Sequence, residues 1–287
     1  GNTVKYGSDY RSFAAMETLE STECPSEVLW FQNRTDPGHP SECHKSEPSR
    51  SLQTRLAIQS AITGRIRQRR LCVKPISVQL YSLRDASQND FDAVLQRLAD
   101  IGYRGVEPFN LFGKSPTDFR RQVEDLGMTV SSTHFPWANR SEINEVIDTV
   151  GALGLSRAAG GFGPDDFADR SAIARTVATV NGLTDKLGHA GLELFLHNHW
   201  WEFVEHEGKK GYHILQEECP DVLFEVDTYW AANFGNSDPA SEVERIRNRV
   251  PLLHIKDGPL IKGEAHVAVG DGRMDIRAII DAADEDI

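Results

Sequence analysis

The chain has 287 residues, enough for one large domain or two small ones with a sizeable core. Its net charge is −12, and residues 73–287 hold 21 Lys/Arg against 35 Asp/Glu, a balance of −14, which disfavours non-specific nucleic-acid binding. No run is long and apolar enough to span a membrane, the first residues form no apolar signal-like segment, and none of the four cysteines makes a C-x-x-C pair, so a cytoplasmic enzyme is the expectation.

Residues 1–73 show no clean hydrophobic period, and Arg65-Ile66-Arg67-Gln68-Arg69-Arg70 lies near the end of that segment. They are expected to be an N-terminal extension, disordered or foreign to the folded body. The body begins at residue 74. Ile76-Ser77-Val78-Gln79-Leu80-Tyr81 reads as a strand, and Phe91, Val94, Leu95 and Leu98 as a helical stripe. Four times a helix ends in an apolar residue and a glycine, at Gly102, Gly127, Gly154 and Gly191, and a new strand follows. Glycine suits the left-handed residue that ends a helix. The repeat, about 25 to 37 residues, is the size of a βα unit. Two more strands follow, Val222 to Asp227 and Val250 to Lys256.

Strands alternating with helices imply a parallel α/β sheet. Seven such strands fit a (β/α)8 TIM barrel, and no G-x-G-x-x-G follows the first strand, which removes the dinucleotide-binding alternative. The count stops before an eighth strand, so truncation at the C-terminus is expected, with residues 74–287 as an incomplete barrel.

In such a barrel the chemistry sits at the C-terminal strand tips. Those tips offer Tyr81 and Arg84, Glu107, His134, Gly160 and Gly161. They continue with His197, His199 and Glu202, then Asp227, then His254, Lys256 and Asp257. Any one of these has an ordinary structural reading: Glu107 as an ion pair, His134 and His197 as satisfied core histidines. Together they form a carboxylate and imidazole set without thiolate, suited to a divalent ion such as Mn²⁺, Mg²⁺, Co²⁺, Fe²⁺ or Zn²⁺.

Six pieces then resemble the xylose-isomerase-like sugar phosphate isomerase/epimerase superfamily. They are V-Q-L-Y-S-L-R-D at 78–85, G-Y-R-G-V-E at 102–107, L-H-N-H-W-W-E-F at 196–203, V-D-T-Y-W at 226–230, H-I-K-D-G at 254–258 and V-G-D-G-R-M-D at 269–275. The resemblance implies a metal held by a Glu after strand five, an Asp after strand six, a His after strand seven and a Glu on strand eight. Asp227 and His254 match. His197 stands where many members carry Glu, so the fifth-strand ligand is Glu202 or His197; Glu202 is preferred because it keeps the family's ligand type. The implied metal set is therefore Glu202, Asp227 and His254. Glu202, His199 and Lys256 are the expected catalytic groups, with Lys256 alternatively an ion-pair partner of Asp257. Glu107, His134, His197, Trp230 and Asp257 are the expected substrate contacts, and Trp200, Trp201 and Trp230 the walls of the pocket or part of the core.

The implied activity is a metal-dependent isomerase or epimerase of a small sugar, keto-sugar or sugar phosphate. It works by proton abstraction next to a carbonyl through a metal-stabilised enediolate. A lyase or dehydratase of an inosose or 3-keto-sugar shares the first step and stays open, as does an inactive fragment. Abasic-site endonucleases share the barrel, but the acidic body and Trp230 in place of a His argue against that class. The expected partner is a small carbohydrate, with no nucleic acid and no membrane; a homo-oligomer stays open. Truncation predicts weak Mn²⁺ or Co²⁺ binding and little isomerase activity.

Overall fold

Seven short strands run parallel in the computed structural model, each followed by helix or loop. The structure describes residues 75–283, and the expected N-terminal extension and the last four residues lie outside them. Strand β1 (Ser77–Gln79) leads into helix α1 (Arg84–Ile101), β2 (Gly105–Glu107) into α2 (Pro116–Asp125), and β3 (Thr129–Val130) into α3 (Ile143–Ala152). Then come β4 (Arg157–Gly160), α4 (Arg170–His189) and β5 (Glu193–His197). A small hairpin, β6 (Glu205–His206) and β7 (Lys209–Lys210), precedes α5 (Gly211–Glu218). The last part is β8 (Leu223–Asp227), α6 (Thr228–Ala231), α7 (Pro239–Arg245), β9 (Leu252–His254) and α8 (Ile276–Ala282).

Local chemistry sets these limits. Gly102 and Gly191, after the two longest helices, sit at φ +105° and +73°, where a side chain would be strained. Ser115 caps α2 by accepting from the Asp118 amide, with Pro116 in the first turn, and Asp169 caps α4 by accepting from the Ala172 amide.

One sheet has the order β1-β2-β3, the other β4-β5-β8-β9, all parallel. The loop after β3 joins them, with the Ala138 amide donating to the Ala159 carbonyl at 2.8 Å. Leu194, Leu196, Phe224 and Val226 belong to the main apolar core beneath the helices. Side chains alternate along a strand, so Phe195, His197, Glu225 and Asp227 occupy the opposite face, the barrel interior. That alternation delivers polar groups to the interior. No helix among the described residues is long and apolar enough to cross a membrane.

A separate ion cluster ties β7, α5 and α7 together. Glu242 is buried and accepts from Lys210 Nζ at 2.6 Å and His213 Nε2 at 2.8 Å. Burial opposes its charge, but the hydrogen bonds from His213 and Lys210 win and bring the carboxyl down to about 2. A carboxyl depressed on folding stabilises the native state above its unfolded value, and this contribution is lost as pH falls through the folded value. Glu242→Gln is therefore expected to cost on the order of 3 kcal/mol at neutral pH. The gap from the parent should close between about pH 4.5 and 2. Urea unfolding at stepped pH measures it, and a gap that stays constant over that range contradicts the assignment.

Candidate active site

Glu225 lies at the centre of the strand tips. It is fully buried, on the inner face of β8. His134 Nε2 lies 2.6 Å and His197 Nδ1 3.0 Å from its Oε2, and His254 Nε2 lies 3.4 Å from its Oε1. Oε1 has no hydrogen-bond partner among the described residues. One donor atom from each of these four residues lies within 4.8 Å of all the others. A second buried carboxylate closes the group. Glu107 Oε1 is 3.0 Å from His254 Nε2 and 3.3 Å from His134 Nε2, and its Oε2 accepts from the Ser132 hydroxyl. The five groups come from β2, the β3 loop, β5, β8 and β9, so the two sheets meet here.

Burial and neighbouring charge act differently on His197, His254 and Glu225 in this dry space. Burial holds His197 well below the usual imidazole range, against the opposing pull of its hydrogen bond to Glu225. Burial acts the same way on His254, but the Glu225 and Glu107 charges overcome it and hold His254 well above that range. Glu225 is itself penalised by burial, yet the His254 and His134 charges keep it well below the carboxylate range. The cluster is thus an ion network built on fixed strands.

Asp227 is two residues along the same strand and on the same face. It is fully buried, with Lys256 Nζ 2.5 Å from Oδ2 and the Trp230 amide donating to Oδ1 at 3.1 Å. Burial would raise this carboxyl, but the Lys256 charge holds it far below its ordinary value. Lys256 therefore pairs with Asp227, and Asp257 is engaged elsewhere. Asp257 is buried, and its carboxylate accepts four backbone amides: Gly258 at 2.8 Å, Gly270 at 2.9 Å, and Gly272 and Met274 at 3.1 Å. Its oxygens are committed to the loop that follows β9.

Glu202 stands apart from the four-donor group. It lies in a one-turn helix at Trp201–Phe203, buried, with the His199 amide donating to Oε2 at 3.0 Å. Burial raises its carboxyl, and the hydrogen bond and charge of His199 offset this only in part. His199 Nδ1 is 3.9 Å from Oε1, and the His199 ring stacks on Trp201 at 4.2 Å. Aromatic and cationic groups surround this level. Lys256 Nζ lies 5.6 Å from the Trp230 ring, Lys262 Nζ 4.0 Å from the Trp200 ring, and Trp137 packs on His134 at 4.6 Å.

Of the residues expected from sequence, the structure joins Glu107, His134, His197 and His254 in one cluster. It sets Asp227 with Lys256 beside them, Glu202 with His199 in the next loop, Trp230 against Lys256, and Asp257 inside its own loop. Glu225 and Ser132 escaped the sequence reading. The signal for Glu225 was its i, i+2 spacing from Asp227 in a strand buried on both faces.

The model of the xylose isomerase-like TIM barrel family matches residues 95–286. Among solved structures, a sugar phosphate isomerase/epimerase from Parabacteroides distasonis is 24% identical over 72% of this chain and 81% of its own, with a TM-score of 0.61. The probable 3-DHS dehydratase involved in petrobactin synthesis from Bacillus anthracis is 12% identical over 72% of this chain and 88% of its own, at 0.56. A xylose isomerase-like TIM barrel protein from Mycobacterium smegmatis, in complex with magnesium, is 15% identical over 72% and 84%, at 0.50. At these identities the likeness is one of fold. No curated protein matches the chain.

Proposed function

The chain belongs to the xylose isomerase-like TIM barrel family, and from that premise we propose that it is a metal-dependent isomerase or epimerase of a small sugar, keto-sugar or sugar phosphate. One observation carries the reading: three imidazoles converge on a buried carboxylate whose Oε1 lacks a hydrogen-bond partner among the described residues, at the tips of parallel strands. The donor types fit a divalent ion. A tetrahedral ion with ligands at about 2.0–2.1 Å sets its donors about 3.4 Å apart, and the gaps here run from 2.6 Å to at most 4.8 Å. His134, His197, Glu225 and His254 would hold it. When bound, such an ion polarises a carbonyl oxygen of the substrate.

The chain's own residues do the rest. Glu202, raised by burial, is suited to take a proton from the carbon beside that carbonyl and return it, with His199 orienting it. Lys256, fixed on Asp227, offers a cation to a substrate oxygen. Trp200 and Trp230 present ring faces on which sugar C–H groups stack. A lyase or dehydratase of a keto-sugar would use the same first proton abstraction and differ only in losing a hydroxyl from the next carbon.

The test is solvent exchange. The purified chain, loaded with Mn²⁺, Co²⁺ or Zn²⁺, is incubated with a panel of keto-sugars and keto-sugar phosphates in D₂O and followed by NMR. Loss of the proton next to the carbonyl is expected, and chelation should stop it. An epimeric product identifies the first reading and an unsaturated product the lyase. No exchange with any keto-sugar in any metal form refutes both.

A further inference from the structure

We propose that Glu225 is the carboxylate that ligates the ion and that Asp227 braces two of the ligating imidazoles from behind, making an imidazole-rich seat that takes Zn²⁺ or Co²⁺ in preference to Mg²⁺. The inference rests on the preceding section only for the presence of an ion.

The two carboxylates share one face of β8, two residues and about 6.6 Å apart along the strand. The imidazoles tell them apart. His134 Nε2, His197 Nδ1 and His254 Nε2 all face Glu225, at 2.6, 3.0 and 3.4 Å. The other nitrogens of two of these rings, His197 Nε2 and His254 Nδ1, face Asp227 Oδ2 at 4.0 and 3.8 Å. An imidazole that binds a metal through one nitrogen commonly gives its other N–H to a carboxylate or carbonyl, which fixes the ring. At these distances the contacts are charge contacts rather than hydrogen bonds, and Asp227 is the carboxylate that lies on that side of both rings.

Its own oxygens are also committed. Oδ1 takes the Trp230 amide, and Oδ2 takes the Lys256 ammonium at 2.5 Å. A divalent ion on Oδ2 would have to displace that ammonium or sit beside it, like charge against like charge. Glu225 Oε1 has no hydrogen-bond partner among the described residues, and the group that faces it, His254 Nε2 at 3.4 Å, belongs to a proposed ligand. Glu107 Oε1 faces the same Nε2 atoms of His254 and His134 that Glu225 faces, at 3.0 and 3.3 Å, so it stands on the ion's side of those two rings and adds a second carboxylate there.

Three nitrogens and one oxygen then decide the ion. Mg²⁺ demands oxygen ligands and keeps its waters, whereas imidazole suits Zn²⁺, Co²⁺ and Fe²⁺. The expected set of Glu202, Asp227 and His254 holds two carboxylates and one imidazole and would favour the harder ion.

The measurement is proton NMR of the full chain loaded with Co²⁺, in H₂O and in D₂O. Paramagnetic Co²⁺ shifts the ring N–H protons of ligated imidazoles clear of the protein envelope, and those signals vanish in D₂O. Three such signals are expected; one signal, from His254 alone, overturns the proposal. Two variants sharpen it. Glu225→Gln should weaken Co²⁺ binding at least 100-fold. Asp227→Asn should weaken it by about 10–100-fold, moving two of the shifted signals and leaving the third in place. Binding that survives in Glu225→Gln and is lost in Asp227→Asn overturns the proposal. Equilibrium dialysis should show Zn²⁺ held at least 100-fold more tightly than Mg²⁺; equal binding overturns it. The signal count on the parent chain holds even where a variant fails to fold. Proton exchange enters none of these readouts. Three imidazole signals in a chain that exchanges no keto-sugar proton would retire the proposed reaction and leave this seat standing, and exchange with a single signal would do the reverse.

Discussion

Replacing Lys256 with methionine should slow keto-sugar proton exchange by about 10²–10³-fold, the range found when one fixed electrostatic donor is removed from an active site. It should also destabilise the metal-free chain by about 3 kcal/mol. The second effect follows from burial. Asp227 is fully buried, and the ammonium 2.5 Å away is the charge that keeps it ionised. Deleting one partner of a buried pair leaves the other charge uncompensated, which costs more than the pair itself contributes. The double variant Lys256→Met with Asp227→Asn removes that stranded charge. It should recover at least about 1 kcal/mol of the loss while its exchange rate stays low. Chemical denaturation and D₂O exchange on the same preparations measure both. A single variant within about 0.5 kcal/mol of the parent would mean that Asp227 does not depend on Lys256, since only unremarkable surface changes fall in that range.

The barrel was legible in the sequence because its punctuation is local. A glycine at positive φ ends a helix and an apolar run follows, and both need only a window of a few residues. The strand tips were legible for the same reason: a polar residue that ends an apolar strand stands out. Glu225 did not stand out, because it lies inside its strand and an isolated buried Glu has no periodicity of its own. Its role depends on closure, which carries His134 and Glu107 from the first sheet to within hydrogen-bond reach of residues 91 and 147 positions away. Which nitrogen of His197 faces Glu225 and which faces Asp227 is likewise a matter of ring orientation, set by packing across strands. Motif similarity weighs residue types. It therefore preferred Glu202 to His197 and named Asp227 without weighing Glu225, while the geometry groups these residues by which face and which layer they occupy.

Asp257 shows the same limit from the other side, and its removal should have the largest purely structural effect. Its partners at Gly270, Gly272 and Met274 lie 13 to 17 residues downstream, too far for a local pattern to reveal. In the fold, one carboxylate gathers four amides and so shapes the segment between β9 and α8. Burial opposes its charge, but the Met274 and glycine amides hold the carboxyl below its ordinary value. That segment carries Lys262 over Trp200 and the Leu260 amide onto the Tyr229 hydroxyl. Charge-assisted hydrogen bonds contribute about 1.5–3 kcal/mol each when the donors are left buried and unpaired. Water will reach some of these amides in the opened loop, so Asp257→Ala is expected to cost about 3–5 kcal/mol rather than the full sum. Asp257→Asn keeps the shape and one acceptor oxygen and should cost about half as much. A steric probe reaches the same hub without replacing the carboxylate: a Cβ on Gly272 would lie 2.0 Å from Asp257 Oδ1 and 2.4 Å from the Gly258 nitrogen. Gly272→Ala should therefore destabilise the chain comparably and open the same loop to proteolysis between residues 258 and 272. Denaturant melts and limited proteolysis of the three variants decide the matter. If Asp257→Ala melts with the parent and its loop stays uncut, the four hydrogen bonds do not hold this loop, and the carboxylate is available to the substrate after all.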